Sequence, residues 1–235
     1  MGELDRTTLL ARLARLIAED DPGLPLETRL CRAYLAIMGG RGAALTVAYT
    51  RPERVTLCTT DDIAARLEDL QDVVGEGPGP TASVSEEIVA VDLCAETVRW
   101  PLFTEAARKI PGTAALYAVP MRPWNDGVIG VLTIHQDSIE QLDREQAQFL
   151  ANAIGAALVK DPPVESDLRS GPWSTRSQVH QATGMVVAQL RIGPEDALAL
   201  LRAHAFSHDT TLAAVAEEIT SRRLNFTDDA ESETS

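Results

Sequence analysis

A glycine-rich segment has the composition of a loop that could cradle a phosphate group. Residues 75–80 read Gly-Glu-Gly-Pro-Gly-Pro. A Walker loop ends in Lys followed by Ser or Thr, and a Rossmann loop has a third glycine at a fixed step. Both features are missing, so the sequence argues against nucleotide hydrolysis. The segment fits either a tight loop that shapes a ligand pocket or a purely structural turn.

Three further side chains have the chemistry of a small-molecule pocket. Trp100 and Phe103 could stack on a ligand, and the carboxylate of Asp92 could orient it. The same residues also fit a structural role, in which the two aromatic side chains belong to the core and Asp92 caps a turn. The sequence leaves both interpretations open.

Catalytic chemistry has little support in this sequence. The four histidines are scattered between positions 135 and 208, and they form no Ser-His-Asp set and no metal-binding spacing. Cys31, Cys58 and Cys94 are widely separated and include no CxxC pair, which argues against zinc or a disulfide framework and suits a reducing cytoplasm. We expect a cytoplasmic non-enzyme without metal or cofactor, whose cysteines act as small core residues.

The C-terminal quarter holds side chains that could bind RNA. Arginine binds phosphate and stacks on unpaired bases, and histidine, glutamine and threonine can hydrogen-bond base edges. The candidates are Arg176, His180, Gln181, Thr183, Arg202, His204 and His208, with Gly184 as a point of close backbone approach. Taken alone, these residues fit a solvated helical face on a protein-interaction bundle at least as well.

Hydrophobic spacing places these residues on structural elements. Before residue 160 the pattern alternates between helix and strand, which predicts an α+β domain with an antiparallel sheet flanked by helices. The predicted helices cover 6–18, 26–37, 61–73, 97–109 and 140–159, and the predicted strands cover 43–49, 55–59, 88–91, 114–121 and 128–135. Asn125-Asp126-Gly127 suits the turn of the last hairpin.

The helix predicted over 140–159 has an unusually wide apolar face. Its apolar residues are Leu142, Phe149, Leu150, Ala153, Ile154, Ala157 and Leu158. A helix that packs on one sheet needs a narrower stripe. We therefore expect this exit helix to pair with a second chain as well, giving a homodimer.

The remainder of the chain predicts a linker, a three-helix bundle and a tail. Residues 161–172 contain Pro162-Pro163 and lack apolar periodicity. Residues 173–226 predict three helices, the second beginning at Pro194 and the third capped by Asp209 or Thr210. The acidic tail 227–235 has the composition of a disordered segment.

The charge distribution permits an RNA-binding role for the C-terminal part. The whole chain carries -14, but residues 169–226 hold six Arg and five acidic residues, a net charge of +1. The acidity therefore belongs to the N-terminal part and the tail. Screening limits its reach to about 10 Å, so local charge decides phosphate binding.

The C-terminal residues resemble the ANTAR domain. The similarity rests on an Arg, an aliphatic residue and an Ala-x-Gly step within 176–187, and it continues through 195–198, 201–205 and 212–219. The resemblance implies that the bundle binds paired RNA stem-loops and prevents a transcription terminator from forming, and it favours RNA contact by the candidates named above. Thr183 stands where the family often has a basic residue.

The N-terminal residues resemble the GAF sensor domains that actinobacterial proteins couple to ANTAR modules. The similarity covers 24–160, preceded by an N-terminal helix in 1–23, and rests on 70–78, Asp92-Leu93, 100–103, Val119-Pro120 and 127–132. It implies a pocket lined by Gly75, Glu76, Gly77, Asp92, Trp100 and Phe103. Relatives often have Cys where this chain has Gly79, so we expect no thiol-based sensing there.

These inferences predict a signal-responsive antitermination regulator. The GAF domain would sense a small molecule or a partner, and the ANTAR domain would bind RNA hairpins. The main alternative is a dimeric adaptor that binds protein and no nucleic acid. A DNA-binding helix-turn-helix fits less well, since the predicted third helix carries acids and alanines where base-reading side chains belong.

Overall fold

The change in hydrophobic period along the chain separates a mixed α+β unit from an all-helical one. The computed structural model describes residues 3–50, 53–95, 98–124, 127–138, 142–160 and 172–226. The N-terminal unit comprises Met1–Gln71 and Glu76–Pro163, and the C-terminal unit comprises Asp72–Gly75 and Val164–Ser235. No helix in the described part of the chain is long and apolar enough to cross a bilayer.

The N-terminal unit contains six helices and five strands among its described residues. The helices are α1 (Glu3–Glu19), α2 (Leu26–Met38), α3 (Asp62–Val74), α4 (Pro78–Ser85), α5 (Pro101–Ala107) and α6 (Arg144–Lys160). The strands are β1 (Gly42–Thr50), β2 (Glu53–Thr59), β3 (Val89–Asp92), β4 (Ala115–Met121) and β5 (Gly130–Gln136). They form one antiparallel sheet in the order β2-β1-β5-β4-β3, which confirms the predicted fold class.

Helices cover both faces of this sheet. Helix α2 packs against β1 and β2, and α6 packs against β4 and β5. The two helices also contact each other, where the fully buried Tyr34 hydroxyl donates to the Ala147 carbonyl at 3.5 Å. On the other face, Glu68 of α3 bonds to Thr46 of β1 and Thr133 of β5. The sheet core therefore lies between two helical layers.

The wide apolar face of α6 has a partial explanation within the chain. Its most buried residues, among them Leu150, Ile154 and Leu158, are at most 1% exposed. Beyond the sheet, α6 contacts α1 and α2. The half-buried Phe149 lies beneath the Arg6 guanidinium, 5.5 Å from ring centroid to Cζ. Helices α1 and α2 thus cover part of the apolar face of α6 that the sequence analysis assigned to a second chain. The homodimer stays a prediction.

Helix α4 lies where the sequence analysis expected only a loop. Its N-cap is Gly77, and Pro78 is its first residue. Proline suits the first turn of a helix, because the first amide hydrogens of a helix have no intrahelical acceptor. The prolines at 78 and 80 therefore begin a helix rather than prevent one.

The C-terminal unit is a bundle of three helices. They are α7 (Pro172–Leu190), α8 (Pro194–Ser207) and α9 (Leu212–Thr220), as the sequence predicts. The core residues contributed by these helices are Val179, Ala182, Val186, Ala197, Leu198, Leu201, Ala205, Val215, Ala216 and Ile219. The second helix begins at Pro194 with Gly193 as N-cap and two acidic residues in its first turn.

Two details of the bundle differ from prediction. The cap of α9 is Thr211, whose hydroxyl accepts the Ala214 amide hydrogen at 3.1 Å, so the predicted caps Asp209 and Thr210 were wrong. The sequence spacing predicts that Ala197, Leu200, Leu201 and Ala205 form the apolar stripe of the second helix, but Leu200 is 37% exposed, whereas Leu198 is 3% exposed. The buried set 197, 198, 201 and 205 follows the i, i+1, i+4, i+8 spacing of a helix that packs against two neighbours.

Several predicted connections lie outside the described residues. These are Arg51-Pro52 of the turn that the sequence predicts between the first two strands, the hairpin residues Asn125-Asp126, linker positions 161–171 and tail positions 227–235.

Candidate functional sites

The glycine-rich segment forms a close-packed turn into α4. The Gly79 amide donates to Gln71 Oε1 at 2.7 Å. Gly77 has a φ of 140°, and a Cβ built on it would lie 2.8 Å from Gln71 Cγ. A Cβ on Gly79 would lie 2.6 Å from an Arg54 Nη1 atom. Glycine is therefore required here by close contacts with α3 and β2, without any need to invoke a phosphate.

Glu76 connects this turn to the neighbouring aromatic segment. Its Oε1 accepts the amide hydrogens of Leu102 at 2.8 Å and Phe103 at 3.0 Å. These amides belong to the first turn of α5, where backbone donors have no intrahelical partner and a carboxylate is favoured by the helix dipole. Glu76 thus caps α5 across a separation of more than twenty residues.

The two aromatic residues are core residues in this arrangement. Phe103 is fully buried, and Trp100 is 5% exposed. Trp100 Nε1 donates to the Thr81 hydroxyl at 2.9 Å, and that hydroxyl donates to the Gly77 carbonyl at 2.8 Å. The structure thus brings Glu76, Gly77, Trp100 and Phe103 into one joint between α4 and α5.

Asp92 has a local structural role at the end of β3. Its Oδ1 accepts the amide hydrogens of Cys94 at 2.9 Å and Ala95 at 3.3 Å. The placement of Asp92, Trp100 and Phe103 corresponds to the structural interpretation that the sequence left open. Ligand binding by the six predicted pocket residues, Gly75 included, stays a prediction.

A buried polar network lies beside this joint, and sequence reasoning missed it. Glu68 is 1% exposed, and its Oε1 accepts from the Thr133 hydroxyl at 2.8 Å and Gln71 Nε2 at 3.1 Å. Its Oε2 accepts from the Thr46 hydroxyl at 3.2 Å and Arg54 Nη2 at 3.3 Å. The five side chains come from β1, β2, β5 and α3, so no spacing along the chain could reveal them.

The network satisfies a charge that would otherwise be costly to bury. The side chains of Arg54 and Glu68 are only 9% and 2% exposed. A buried carboxylate is tolerated when a cation and several hydrogen-bond donors surround it. Because Gln71 also accepts from Gly79, the network extends from the sheet to α4.

A second buried pair involves His135. It is 1% exposed, and its Nε2 lies 2.9 Å from Asp61 Oδ2. His135 is therefore a core residue of β5 that joins the start of α3. In the described part of the chain, no three His, Cys, Asp or Glu side chains lie close enough to share a metal ion.

In the C-terminal unit, one face of α7 presents polar residues to solvent. Ser177, Gln181, Gly184 and Ala188 are exposed at intervals of three and four residues, and the adjacent His180 is exposed as well. The opposite face holds the core residues of α7. We call the five exposed residues the α7 face. A Cβ on Gly184 would have no other atom within 4 Å, so the helix surface is open at this point.

The remaining candidates on α7 are placed differently. Thr183 is buried, and its hydroxyl donates to the Val179 carbonyl at 2.8 Å, so its side chain does not reach the surface. A buried threonine in a helix satisfies its hydroxyl through such a back-bond. Arg176 lies within α7, but its side chain is outside the described part of the structure.

The last candidates lie on α8. His204 and His208 stack with ring centroids 4.0 Å apart, and His204 also meets Phe226 edge-on at 5.5 Å. His208 is exposed and His204 is half-buried. Arg202 is half-buried, and its Nε donates at 3.0 Å to the carbonyl of Asp72. Asp72 lies in the last turn of α3, but the segment Asp72–Gly75 belongs to the C-terminal unit. The histidines thus offer a stacked imidazole pair, whereas Arg202 has a structural contact.

Comparison with known families identifies the helical unit. The ANTAR domain model matches residues 173–219, which comprise α7, α8 and nearly all of α9. None of the curated proteins compared with the chain matches it.

Solved structures similar to this chain include bacterial GAF domains. The GAF domain of a phosphoenolpyruvate-protein phosphotransferase from Coxiella burnetii is 13% identical, with a TM-score of 0.48, and covers 68% of this chain and 96% of that one. The corresponding Acinetobacter domain is 14% identical, with a TM-score of 0.44, and covers 70% and 100%. The GAF domain of A. Aeolicus nlh2 is 13% identical, with a TM-score of 0.44, and covers 65% and 92%.

Proposed function

We propose that this chain, which carries an ANTAR domain at residues 173–219 behind a GAF-like α+β unit, is a cytoplasmic regulator that binds structured RNA. The resemblance to ANTAR domains implies paired stem-loops as targets and transcription antitermination as the regulated step. The GAF-like unit would receive the signal, either a small molecule or a protein partner.

The α7 face is the observation that carries the RNA-binding proposal. It presents the His180 imidazole and the Gln181 amide side by side, with Gly184 one turn further along. These side chains can donate to and accept from base edges in an unpaired loop, where RNA is read by hydrogen bonding and stacking. The open surface at Gly184 allows a nucleotide backbone to approach the helix closely.

The net charge of this part of the chain fits a modest electrostatic contribution. Residues 169–226 carry only +1, although they contain six arginines. Binding that depends on a few arginine–phosphate contacts has a shallow salt dependence. Arg176 is the arginine nearest to the α7 face along the helix, so it is our first candidate for such a contact.

For the GAF-like unit, we propose sensing at the side of the sheet that holds Glu68. A ligand there would have to exchange hydrogen bonds with the buried network, because its polar groups are already paired. Dimerisation through α6 is part of the proposal. A groove of about 480 Å³ lies along α6, lined by Arg6, Arg144, Glu145, Gln148, Phe149 and Asn152.

The test is capture of RNA by the purified full chain. Total bacterial RNA is passed over the immobilised protein at moderate salt, and the retained RNA is sequenced. We expect enrichment of transcripts with paired hairpins, and loss of this enrichment in a His180→Ala/Gln181→Ala variant. Both side chains are exposed, so helical content should not change.

A matched variant controls for the loss of one positive charge outside the C-terminal unit. Lys109→Gln changes an exposed cation of the N-terminal unit and should leave RNA capture intact, whereas Arg176→Gln removes the same charge at the residue that precedes Ser177 in the sequence. Equal capture by all variants would remove the α7 face from the site. No enrichment by the wild-type chain, with or without cell extract as a source of signal, would favour the protein-binding adaptor.

A further inference from the structure

Two cysteines that are distant in sequence meet between α2 and the sheet. Cys31 lies on α2 and Cys58 on β2, two elements that pack against each other, and the two thiols are close enough to affect each other's pKa. Sequence analysis treated them as separate core residues. Their meeting depends on the way β2 pairs with β1.

A β-bulge turns Cys58 toward α2. Leu45 pairs with Cys58, but the next residue of β1, Thr46, pairs with Thr56, so Leu57 is an extra residue in β2. Residues paired across strands share a face, and neighbours along a strand alternate. Thr56 therefore joins Thr46 on the face of Glu68, whereas Cys58 joins Leu45 on the face of α2. Without the bulge, Cys58 would lie on the same face as Thr56, away from α2.

The two thiols have different surroundings. Cys31 is fully buried, whereas Cys58 is 8% exposed and is the thiol nearer to solvent. The hydrogen bond from Cys31, together with one from Thr28 and the nearby positive charge of Arg32, lowers the pKa of Cys58. Hydrogen bonding with Cys58, together with burial, raises the pKa of Cys31. Cys58 is thus the better thiolate and Cys31 remains a protonated neighbour.

We propose that Cys31 and Cys58 form a reversible dithiol–disulfide site that is oxidised by peroxides. The Cys58 thiolate attacks one peroxide oxygen, the O–O bond breaks, and the other oxygen leaves as water or an alcohol after taking up a proton. The resulting sulfenic acid at Cys58 is attacked by the Cys31 sulfur, which loses its proton, and the sulfenic hydroxyl leaves as water. Two thiols thus lose two electrons and two protons, and the peroxide is reduced.

The arrangement supplies what this sequence of steps needs. A peroxide-sensitive cysteine requires thiolate character, access for a small oxidant and a second thiol within reach. The pKa of Cys58 is lowered, 8% of this residue remains exposed to solvent, and Cys31 is the neighbouring thiol. The disulfide would fix α2 to β2 covalently and would be reversed by a thiol reductant.

The test uses the reduced full chain treated with a small excess of hydrogen peroxide. Free thiols are then alkylated under denaturing conditions, and intact mass and peptide linkage are measured. We expect a monomeric product that has lost the mass of two hydrogens, with Cys31 linked to Cys58 and one alkylated cysteine, Cys94. Reduction should restore three alkylatable thiols. Cys94→Ser is the matched control, since this exposed cysteine should be dispensable.

Two variants separate the roles of the thiols. Cys31→Ser keeps a hydroxyl donor but cannot form the disulfide, so Cys58 sulfenic acid should accumulate and react with dimedone. Cys31→Ala removes the donor as well, so the pKa of Cys58 should rise and its rate of modification should reach a plateau at higher pH than in Cys31→Ser. The same plateau pH in both variants would show that the side chain at position 31 does not donate to the Cys58 sulfur.

The proposal is overturned by any of three results with the folded wild-type chain. These are three free thiols after peroxide treatment, linkage through Cys94, and irreversible oxidation of Cys58 with Cys31 still free. Because these readouts are independent of RNA, their failure would leave the proposed RNA function untouched.

Discussion

Buried polar side chains connect strands and helices of the N-terminal unit through hydrogen bonds. Glu68 receives four hydrogen bonds, from Thr46, Arg54, Gln71 and Thr133. Nothing in its sequence neighbourhood distinguishes it from a surface glutamate of α3. The role of Glu68 depends on residues that are far away along the chain. Sequence reasoning therefore selected the glycine-rich segment and missed the polar network that packs against this segment.

Replacing Glu68 should destabilise the N-terminal unit strongly. Glu68→Ala leaves the Arg54 charge buried without its carboxylate, and breaking a buried ion pair costs about 3–5 kcal/mol. Urea unfolding of the full chain, followed by a signal from the N-terminal unit, measures this change. Glu105→Ala removes an exposed glutamate paired with Lys109 and should cost less than about 1 kcal/mol. Similar midpoints for the two variants would contradict the assigned role of Glu68.

The cap of α9 provides a second test at a single residue. Thr211→Ala removes the acceptor for the Ala214 amide hydrogen and should cost about 1 kcal/mol. Thr210→Ala, one position earlier, is the matched control and should cost less than half as much. The comparison is made by thermal unfolding of the C-terminal helices, and a larger effect at Thr210 would restore the cap predicted from sequence.

At the scale of elements, hydrophobic period identified most helices and strands but not their irregularities. The strand pair β4–β5 and the helices α7, α8 and α9 lie close to their predicted positions, because period 2 and period 3.6 are strong signals. Helix α4 was missed because its prolines and glycines look like breakers. The bulge at Leu57 was missed because the pairing register depends on two strands at once. The contact of Cys31 with Cys58 was missed for the same reason, since it depends on this bulge.

Because Glu76 caps α5, we expect its removal to destabilise this helix locally. Glu76→Ala removes the acceptor for the Leu102 and Phe103 amide hydrogens, and loss of a cap typically costs about 1 kcal/mol. Hydrogen exchange of the α5 amides should therefore become faster, by about fivefold or more, while β4 and β5 are little changed.

Glu105→Ala on the same helix is the control for this experiment, because its side chain is exposed and pairs with Lys109 one turn away. Unchanged exchange at α5 in Glu76→Ala would show that the carboxylate does not cap the helix.

At the scale of the whole molecule, the chain combines an acidic N-terminal part with a nearly neutral ANTAR domain. The net charge of -14 alone would argue against an RNA-binding protein, but its distribution leaves the C-terminal residues at +1. Sequence resemblance identified the ANTAR domain, and the family model confirms it over residues 173–219. The structure adds which candidates face solvent: His180, Gln181 and Gly184 do, and Thr183 does not.

This charge distribution predicts a shallow salt dependence of RNA binding. With about three phosphate contacts, the slope of log affinity against log salt should be about -2 to -3. Arg176→Gln should reduce the slope by nearly 1, while Lys109→Gln should leave it unchanged. A slope that is equally steep in both variants would place the phosphate contacts elsewhere.

The most direct test of the central claim is the dissociation constant of the full chain for a paired-hairpin RNA, compared with that of His180→Ala/Gln181→Ala at one salt concentration. We expect the wild-type chain to bind the hairpin in preference to duplex DNA of the same sequence. We also expect the double variant to bind about tenfold or more weakly, since each lost hydrogen bond contributes about 0.5–1.5 kcal/mol. Equal affinity of the two proteins, or equal affinity for RNA and duplex DNA, would contradict the account.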